Sequence, residues 1–364
     1  MQKPARLNAL TGLRCFAAVN VVLFHFSNPA TFGVLAPVVN AGYASVSYFI
    51  LLSGYVLAYN YNERARNGEL DFRRFWEARF TRLYPIYLLS LICSFDMIHQ
   101  EWNAHTPGWF WAGMILSPLM LQGWFWQIST FLNTPAWTMS AEAAYYFVFP
   151  WLARMKASVN MRAHLWKMFG VWMLGLAPGL LYFWINPDGI LHPDRYSTGP
   201  WLRMLKYTPL PHFPSFLFGV LLADLDRMVG RSSRIRPILG IGGFVTIFFL
   251  LWLGSAIPYA IIHDGLLMPL FACVILGLAG NNKLSYVIGC RPLVFIGEGS
   301  YCLYLLHFNL WELVHKSHVL EATGLIRFDP WISYVMLIGL ALLCLYFVEK
   351  PAQKALRGWL KLWR

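Results

Sequence analysis

Charge is scarce in this chain: Asp, Glu, Lys and Arg make up only 13% of its 364 residues, against roughly 25% in ordinary globular proteins. No polar stretch is long enough to fold by itself. That excludes the two or three soluble domains that this length would otherwise suggest. Cysteine is sparse too. The six (Cys15, Cys93, Cys273, Cys290, Cys302, Cys344) are scattered, mostly in apolar segments. Without a CxxC pair or a Cys/His cluster they point to no metal, redox motif or disulfide framework, and they read as small buried hydrophobes. The first apolar stretch runs past Phe26 without an A-x-A-like cleavage site, so it is expected to remain as an uncleaved first helix. Internal repeats of the kind that mark many secondary transporters are missing as well.

What the sequence has in abundance is apolar and aromatic surface. Apolar residues make up 58%, with 17 Trp, 18 Tyr and 27 Phe, an aromatic load that suits a chain with two membrane interfaces to anchor. This composition implies an all-α polytopic membrane protein whose constant partner is the lipid bilayer. The net charge of +12 would suit nucleic acid, but the basic residues sit in short blocks between apolar stretches, as the positive-inside rule expects. A nucleic-acid partner is therefore excluded.

A helix needs about 20 apolar residues to cross the hydrocarbon layer. Ten stretches qualify, near 9–27, 37–59, 83–98, 136–152, 168–185, 211–226, 237–253, 262–280, 293–313 and 331–348. With 1–14, 60–82, 154–167, 227–236, 281–292 and 349–364 placed in the cytoplasm, only Arg195, Arg203, Lys206, Lys316 and Arg327 of the 29 basic residues fall outside. Both termini are then cytoplasmic. An even number of crossings must separate 60–82 from 154–167, yet three apolar pieces lie between them. The piece near 109–126 contains Gly113, Pro118, Gly123 and several Trp, and it is expected to be re-entrant or interfacial. Irregular backbone at that depth is tolerated only where protein or a cavity satisfies it. Residues 1–364 thus read as a single membrane domain of about ten spans with no appended soluble domain.

Ionisable residues within spans need a reason, since each costs roughly 2.5–3.5 kcal/mol on insertion scales. The first helix carries Arg14 and His25. Eleven steps of ~100° fall within ~20° of three full turns, so both side chains share a face, about 16 Å apart along the axis. A cation at the entrance and a titratable base farther in suit a long anionic ligand with its reactive end inside. The plainer reading of His25 is a core histidine hydrogen-bonded across helices.

Before the third span, Phe72-Arg73-Arg74-Phe75-Trp76-Glu77-Ala78-Arg79-Phe80-Thr81-Arg82 interleaves arginine with aromatics. Guanidinium forks bind phosphate and stack on rings, so this loop suits a nucleotide-like group; taken alone, it suits a positive-inside anchor touching anionic lipid better. At the next span, Glu142 lies inside the helix with Trp137 and Ser140 near its outer end. The carboxylate can orient a histidine, bind sugar hydroxyls or pair with an arginine. In the stretch from Gly297 to His307, Tyr304 and His307 stand three apart on one face. If that face meets the first helix, two histidines line one cavity.

In combination, these pieces resemble the membrane-bound acyltransferase-3 family of bacterial O-acyltransferases. Arg14 and His25 are similar to its opening motif of a basic residue, ten residues and His. Ser45 to Gly54 resembles its FFxLSG segment, Arg79-Phe80-Thr81-Arg82-Leu83-Tyr84-Pro85 its RxxR-x-x-P element, and Trp137 to Glu142 its WSLSxE motif. Ser300 to His307 resembles SYxxYLxH, and Glu349-Lys350-Pro351 the ExP ending. Thr138 in place of Ser and Tyr48 in place of Phe are mild departures. Within the family the resemblance is greatest to stand-alone acetylases of bacterial exopolysaccharide clusters, the xanthan-type enzymes.

The resemblance implies acetyl-coenzyme A as donor substrate, no permanently bound cofactor, no metal, and location in the bacterial inner membrane. The acceptor it implies is a sugar hydroxyl on a polysaccharide or lipid-linked oligosaccharide, with polysaccharide-assembly proteins as further partners. Arg79 and Arg82, with Arg14, Arg73 and Arg74, would hold the donor's phosphates; His25 would act as general base, or as carrier of a transient acyl group. Trp137, Ser140 and Glu142 would hold the acceptor, or Glu142 would orient His25, while Tyr304 and His307 would line the cavity. Some relatives carry an SGNH-like extracytoplasmic domain. Only sixteen residues follow the last span here, so its step is expected in the membrane domain or on a partner. A carrier or flippase for a glycan also needs charged residues within spans. The missing inverted halves, and a His in place of a carboxylate deep in the first helix, count against it. A structural subunit of an assembly complex is the third reading, and there the motif residues would be replaceable.

Overall fold

The computed structural model describes residues 7–362, and all regular secondary structure among them is helical. The principal helices are α1 (Asn8–Phe26), α2 (Ala44–Arg66), α3 (Phe72–Cys93), α4 (Trp137–Ala153), α5 (Met161–Ile185), α6 (Pro209–Val229), α7 (Ile235–Trp252), α8 (Met268–Ala279), α9 (Ser300–Lys316), α10 (Trp331–Cys344) and α11 (Lys350–Leu362). Local chemistry sets several boundaries. The Asp71 carboxylate accepts the Arg74 amide at 3.1 Å and the Asn160 side chain accepts the Ala163 amide at 2.8 Å, so both satisfy otherwise orphaned N–H groups at helix starts. Asn186 ends α5 in the left-handed conformation, one that Asn tolerates better than most residues.

Five helical segments among the described residues are long and apolar enough to cross a membrane: Asn8–Phe26, Met161–Ile185, Ile235–Trp252, Tyr259–Ala279 and Trp331–Leu360. A sixth is available if Ala30–Asn40 and Ala44–Arg66, bent by 41°, make one span. On α5 and α7 the large side chains face outward, among them Trp166, Phe169, Leu181, Ile238, Ile241 and Phe249. An apolar surface that extensive belongs against lipid.

The expected spans are more broken than their hydropathy suggested. The segment at 262–280 stops at His263 and restarts at Met268, and the one at 293–313 divides at Gly299 into Arg291–Glu298 and α9. The arginine-rich stretch before the third span is not a loop. Asp71 starts α3 there, and the helix runs through Pro85, so Arg73 to Arg82 are carried on helical turns. The longest helix in the piece near 109–126 is the ten-residue Pro107–Leu116, about 15 Å long, with a single 3-10 turn at Gln122–Trp124 after it. In the turns after it Ser117, Met120, Gln122 and Gly123 are buried while Leu119, Leu121, Trp124 and Phe125 stay exposed. Ser140 Oγ accepts the Gly123 amide at 3.1 Å, and the Gln122 side chain donates to the Ala136 carbonyl at 3.1 Å.

Two apolar clusters hold the helices. In one, α2 lies against α6, with Leu51, Tyr55 and Phe216 fully buried. The contact is backbone on backbone: a Cβ on Gly54 would sit 2.1 Å from the Phe216 carbonyl oxygen, and one on Gly219 would sit 2.0 Å from that of Leu51. Small residues allow such approach where apolar burial alone cannot drive association, since lipid is as apolar as leucine. Below this contact Asp226 accepts from the buried Arg236 guanidinium at 2.7 Å and from the Tyr55 hydroxyl at 3.0 Å. The second cluster joins Ala18 and Val22 of α1 to Leu83 and Ile86 of α3, Leu303 and Leu306 of α9, and Leu337 of α10. Helices α1 and α4 contribute to both clusters, and the main cavity lies between them.

Candidate functional site

The cavity has a volume of about 480 Å³. Leu52 and Leu57 on one wall and Leu83, Met139 and Tyr301 on the other come from the two clusters. Arg14, Arg79, Arg82 and Arg357 converge on it, with Glu142, Tyr146, Ser53, Thr138 and Tyr304 completing its polar lining.

Helical register brings the arginines together. Arg79 and Arg82 stand three apart on α3, hence on one side of it, and Arg14 faces them from the second turn of α1. Ion pairs occupy Arg66, Arg73, Arg74, Arg227 and Arg236, whereas Arg14, Arg79 and Arg82 have no carboxylate partner among the described residues. Arg79 lies 5.8 Å from the Tyr61 ring and 5.9 Å from that of Phe75, donates to the Tyr61 hydroxyl at 3.5 Å, and keeps a buried Nε with no acceptor. Arg357 reaches the same place from α11, where its Nε donates to Thr81 Oγ1 at 3.4 Å. Four guanidinium groups against the single carboxylate of Glu142 leave this lining strongly cationic, which suits a multiply charged anion.

Glu142 accepts the Tyr146 hydroxyl proton at 3.0 Å, and that hydroxyl lies 3.0 Å from Ser53 Oγ. The carboxylate therefore does not orient His25. Its nearest bond is one turn along its own helix, on the arginine side of the cavity.

The side chain that meets His25 is His307. Its Nδ1 lies 2.6 Å from the Tyr304 carbonyl and its Nε2 lies 3.1 Å from His25 Nδ1, which is also 2.9 Å from the Val21 carbonyl. A carbonyl only accepts, so each Nδ1 carries the proton. His307 Nε2 is then an acceptor, and the Nε2 of His25 is left with a free lone pair. The Phe24, Phe26 and Phe308 rings surround this pair. Tyr304 links it to the cavity, because its side chain lines the cavity and its carbonyl holds His307.

The remaining candidates lie elsewhere. Arg73 and Arg74 are exposed and paired with Glu77 and Asp71 at 3.0 and 3.2 Å. Ser140 is buried against the Gln122 side chain at 3.0 Å and accepts the Gly123 amide at 3.1 Å. Trp137 packs on the His212 ring, with centroids 4.8 Å apart. Neither residue lines the cavity; they fasten α4 to its neighbours. Sequence reasoning missed Arg357, Tyr146 and Ser53. Arg357 had a local signal, a cation on the strongly amphipathic α11.

The acyltransferase domain model Acyl_transf_3 matches residues 7–350. The chain belongs to the acyltransferase-3 family. It is 26% identical over 330 residues to the acyltransferase MdmB of Streptomyces mycarofaciens, an alignment covering 85% of this chain and 80% of that one. It is 24% identical over 374 residues to the O-acetyltransferase OatA of Staphylococcus aureus, covering 97% of this chain and 58% of the relative. With the peptidoglycan O-acetyltransferase OatA of Listeria monocytogenes the identity is 25% over 381 residues, covering 95% and 56%. The chain thus spans little more than half the length of these two O-acetyltransferases. No solved structure matches it. Acyl transfer is the chemistry this family brings to the site.

Proposed function

We propose that this membrane acyltransferase moves an acetyl group from acetyl-coenzyme A to a sugar hydroxyl of an exopolysaccharide or its lipid-linked precursor. The convergence of the unpaired Arg14, Arg79 and Arg82 on one cavity carries the reading. A coenzyme A thioester presents several phosphate charges at one end and a neutral reactive carbonyl at the other. The arginines take the phosphates, and the pantetheine arm runs along α1 toward His25, about 16 Å farther up the helix.

His25 Nε2 accepts the proton of the acceptor hydroxyl as its oxygen attacks the thioester carbonyl. The C–S bond breaks, and the departing thiolate takes the proton back from the imidazolium. Positioned general-base catalysis of this kind typically contributes about 10²–10⁴ in rate. The tautomer that leaves Nε2 free supports the assignment.

Ten crossings with both termini in the cytoplasm would put the arginines at the inner face of a bacterial inner membrane, where acetyl-coenzyme A is available. The histidine pair would then sit nearer the outer leaflet, within reach of a glycan. That two relatives are named O-acetyltransferases supports a hydroxyl acceptor.

The test compares the O-acetyl content of exported polysaccharide in cells carrying wild-type protein or His25→Ala at matched membrane levels. Loss of acetyl with the polymer still made is the expected result. Unchanged acetylation would discard the mechanism, and loss of the polymer itself would favour a carrier.

A further inference from the structure

Away from the arginine cavity, three buried side chains meet where the chain breaks between Tyr259–His263 and α8. We propose that His212, His263 and Asp264 form a binding site for a divalent transition cation of the zinc class, contrary to the sequence expectation of no metal. His212 stands in the first turn of α6, His263 ends the short helix, and Asp264 occupies the break; none of them lines the arginine cavity. One ligand atom from each lies within 4.8 Å of the others. Asp264 Oδ1 is 3.6 Å from the Nδ1 of both histidines, and the three side chains are 0%, 2% and 8% exposed.

The protons decide what the site lacks. His212 Nε2 lies 3.0 Å from the Lys206 carbonyl, so that nitrogen carries the hydrogen and Nδ1 bears a lone pair. Both carboxylate oxygens of Asp264 and the Nδ1 of His263 are buried with no hydrogen-bond partner. Lone pairs of His212 and Asp264 thus face each other beside the unpartnered His263 Nδ1 in a dry place, an arrangement that costs several kcal/mol unless something cationic sits among them. A shared proton would draw oxygen and nitrogen to about 2.7–2.9 Å. At 3.6 Å there is no hydrogen bond. Each Asp–His separation suits two ligands held by bonds of ~2.1 Å at an angle of about 118°, and the histidine nitrogens, within 4.8 Å of each other, would close by about 1 Å around a bound ion.

Two imidazoles and one carboxylate are ligands that zinc and its neighbours accept, and three protein ligands leave a fourth position open. The shell behind them fits too. Metal-bound histidine commonly donates its other N–H to a carbonyl, as His212 does to Lys206, and the Trp172 indole fixes the next turn by donating to the Gly265 carbonyl at 3.0 Å. The ion would tie α6 to the broken segment and fix the angle at which α8 leaves it.

The experiment measures metal in full-length protein purified in detergent, equilibrated with zinc chloride alone and then desalted. Wild type and the exposed-site control His99→Gln should hold about one zinc per chain, while Asp264→Asn and His263→Gln should bind at least ~10-fold more weakly. The thermal midpoint of wild type should fall with a chelator and return with zinc. Cobalt in place of zinc should give visible absorption from a low-coordinate site. Wild type that takes up no zinc, with a midpoint indifferent to zinc and chelator, would overturn the proposal. Equal zinc in wild type and Asp264→Asn would overturn it as well. Both readings come from wild-type protein or from folded variants, so a variant that fails to fold does not protect the idea.

Discussion

His307 Nε2 lies 3.1 Å from His25 Nδ1, which joins α9 to the one helix that also carries Arg14. The Tyr304 carbonyl holds the far nitrogen of His307, while the Val21 carbonyl shares the His25 Nδ1 proton with His307. In the proposed mechanism a donor bound at the arginines and a base oriented by α9 would thereby be set in register along α1.

Their unequal positions give unequal expectations. His25→Ala should lower the turnover of acetyl transfer by about 10²–10⁴ with little change in donor KM. His307→Gln removes an orienting hydrogen bond of ~0.5–1.5 kcal/mol and should cost about tenfold or less. Turnover of both variants in proteoliposomes checks this order; equal losses would place His307 on the reacting atoms.

The arginines divide in the same manner. Arg14→Gln, Arg79→Gln and Arg82→Gln should each weaken acetyl-coenzyme A binding by about 1.5–3 kcal/mol, the worth of a hydrogen bond to a charged group. Arg357→Gln should act in the same direction with a smaller effect, because its side chain is exposed at the rim. Arg73→Gln and Arg74→Gln, already paired at the surface, should stay within about 0.5 kcal/mol of wild type. Titration calorimetry or donor KM separates the two sets.

Arg236 and Asp226 form a buried pair 2.7 Å apart. Removing the cation alone leaves an uncompensated carboxylate, and Arg236→Met should cost about 3–5 kcal/mol of stability. Arg236→Met combined with Asp226→Leu should recover most of that loss. Thermal unfolding of the detergent-solubilised variants measures the cycle.

Gly219→Ala would place a methyl 2.0 Å from the Leu51 carbonyl oxygen, so α2 and α6 would have to part. Overpacking of this kind costs about 1–3 kcal/mol, and a lower thermal midpoint is expected. Gly242→Ala, at a position with no atom within 4 Å of the added carbon, should leave the midpoint nearly unchanged.

Much of this arrangement could be read from the chain because it depends on one helix at a time. The Arg14–His25 register and the Arg79–Arg82 spacing follow from 3.6 residues per turn. The pairing of Arg73 with Glu77 was equally legible, being four residues apart on a helix, once the segment was seen to start at Asp71. Trp137 and Ser140 misled because their partners, His212 and Gln122, come from other segments, and adjacency between segments leaves no mark on periodicity. The breaks at Asp264 and Gly299 were hidden for a different reason. Apolar residues continue across both, so hydropathy stays high where the hydrogen-bond ladder stops.

The seating of Gly54 and Gly219 bears on which acyl groups fit. Helix α2 supplies Phe49, Leu52, Ser53 and Val56 to the cavity, and behind them its backbone rests directly on another backbone. No rotamer change or sliding of side chains can let that wall retreat. A group too long for the cavity gains no room by pushing there, and must find it on the side where α11 brings in Arg357.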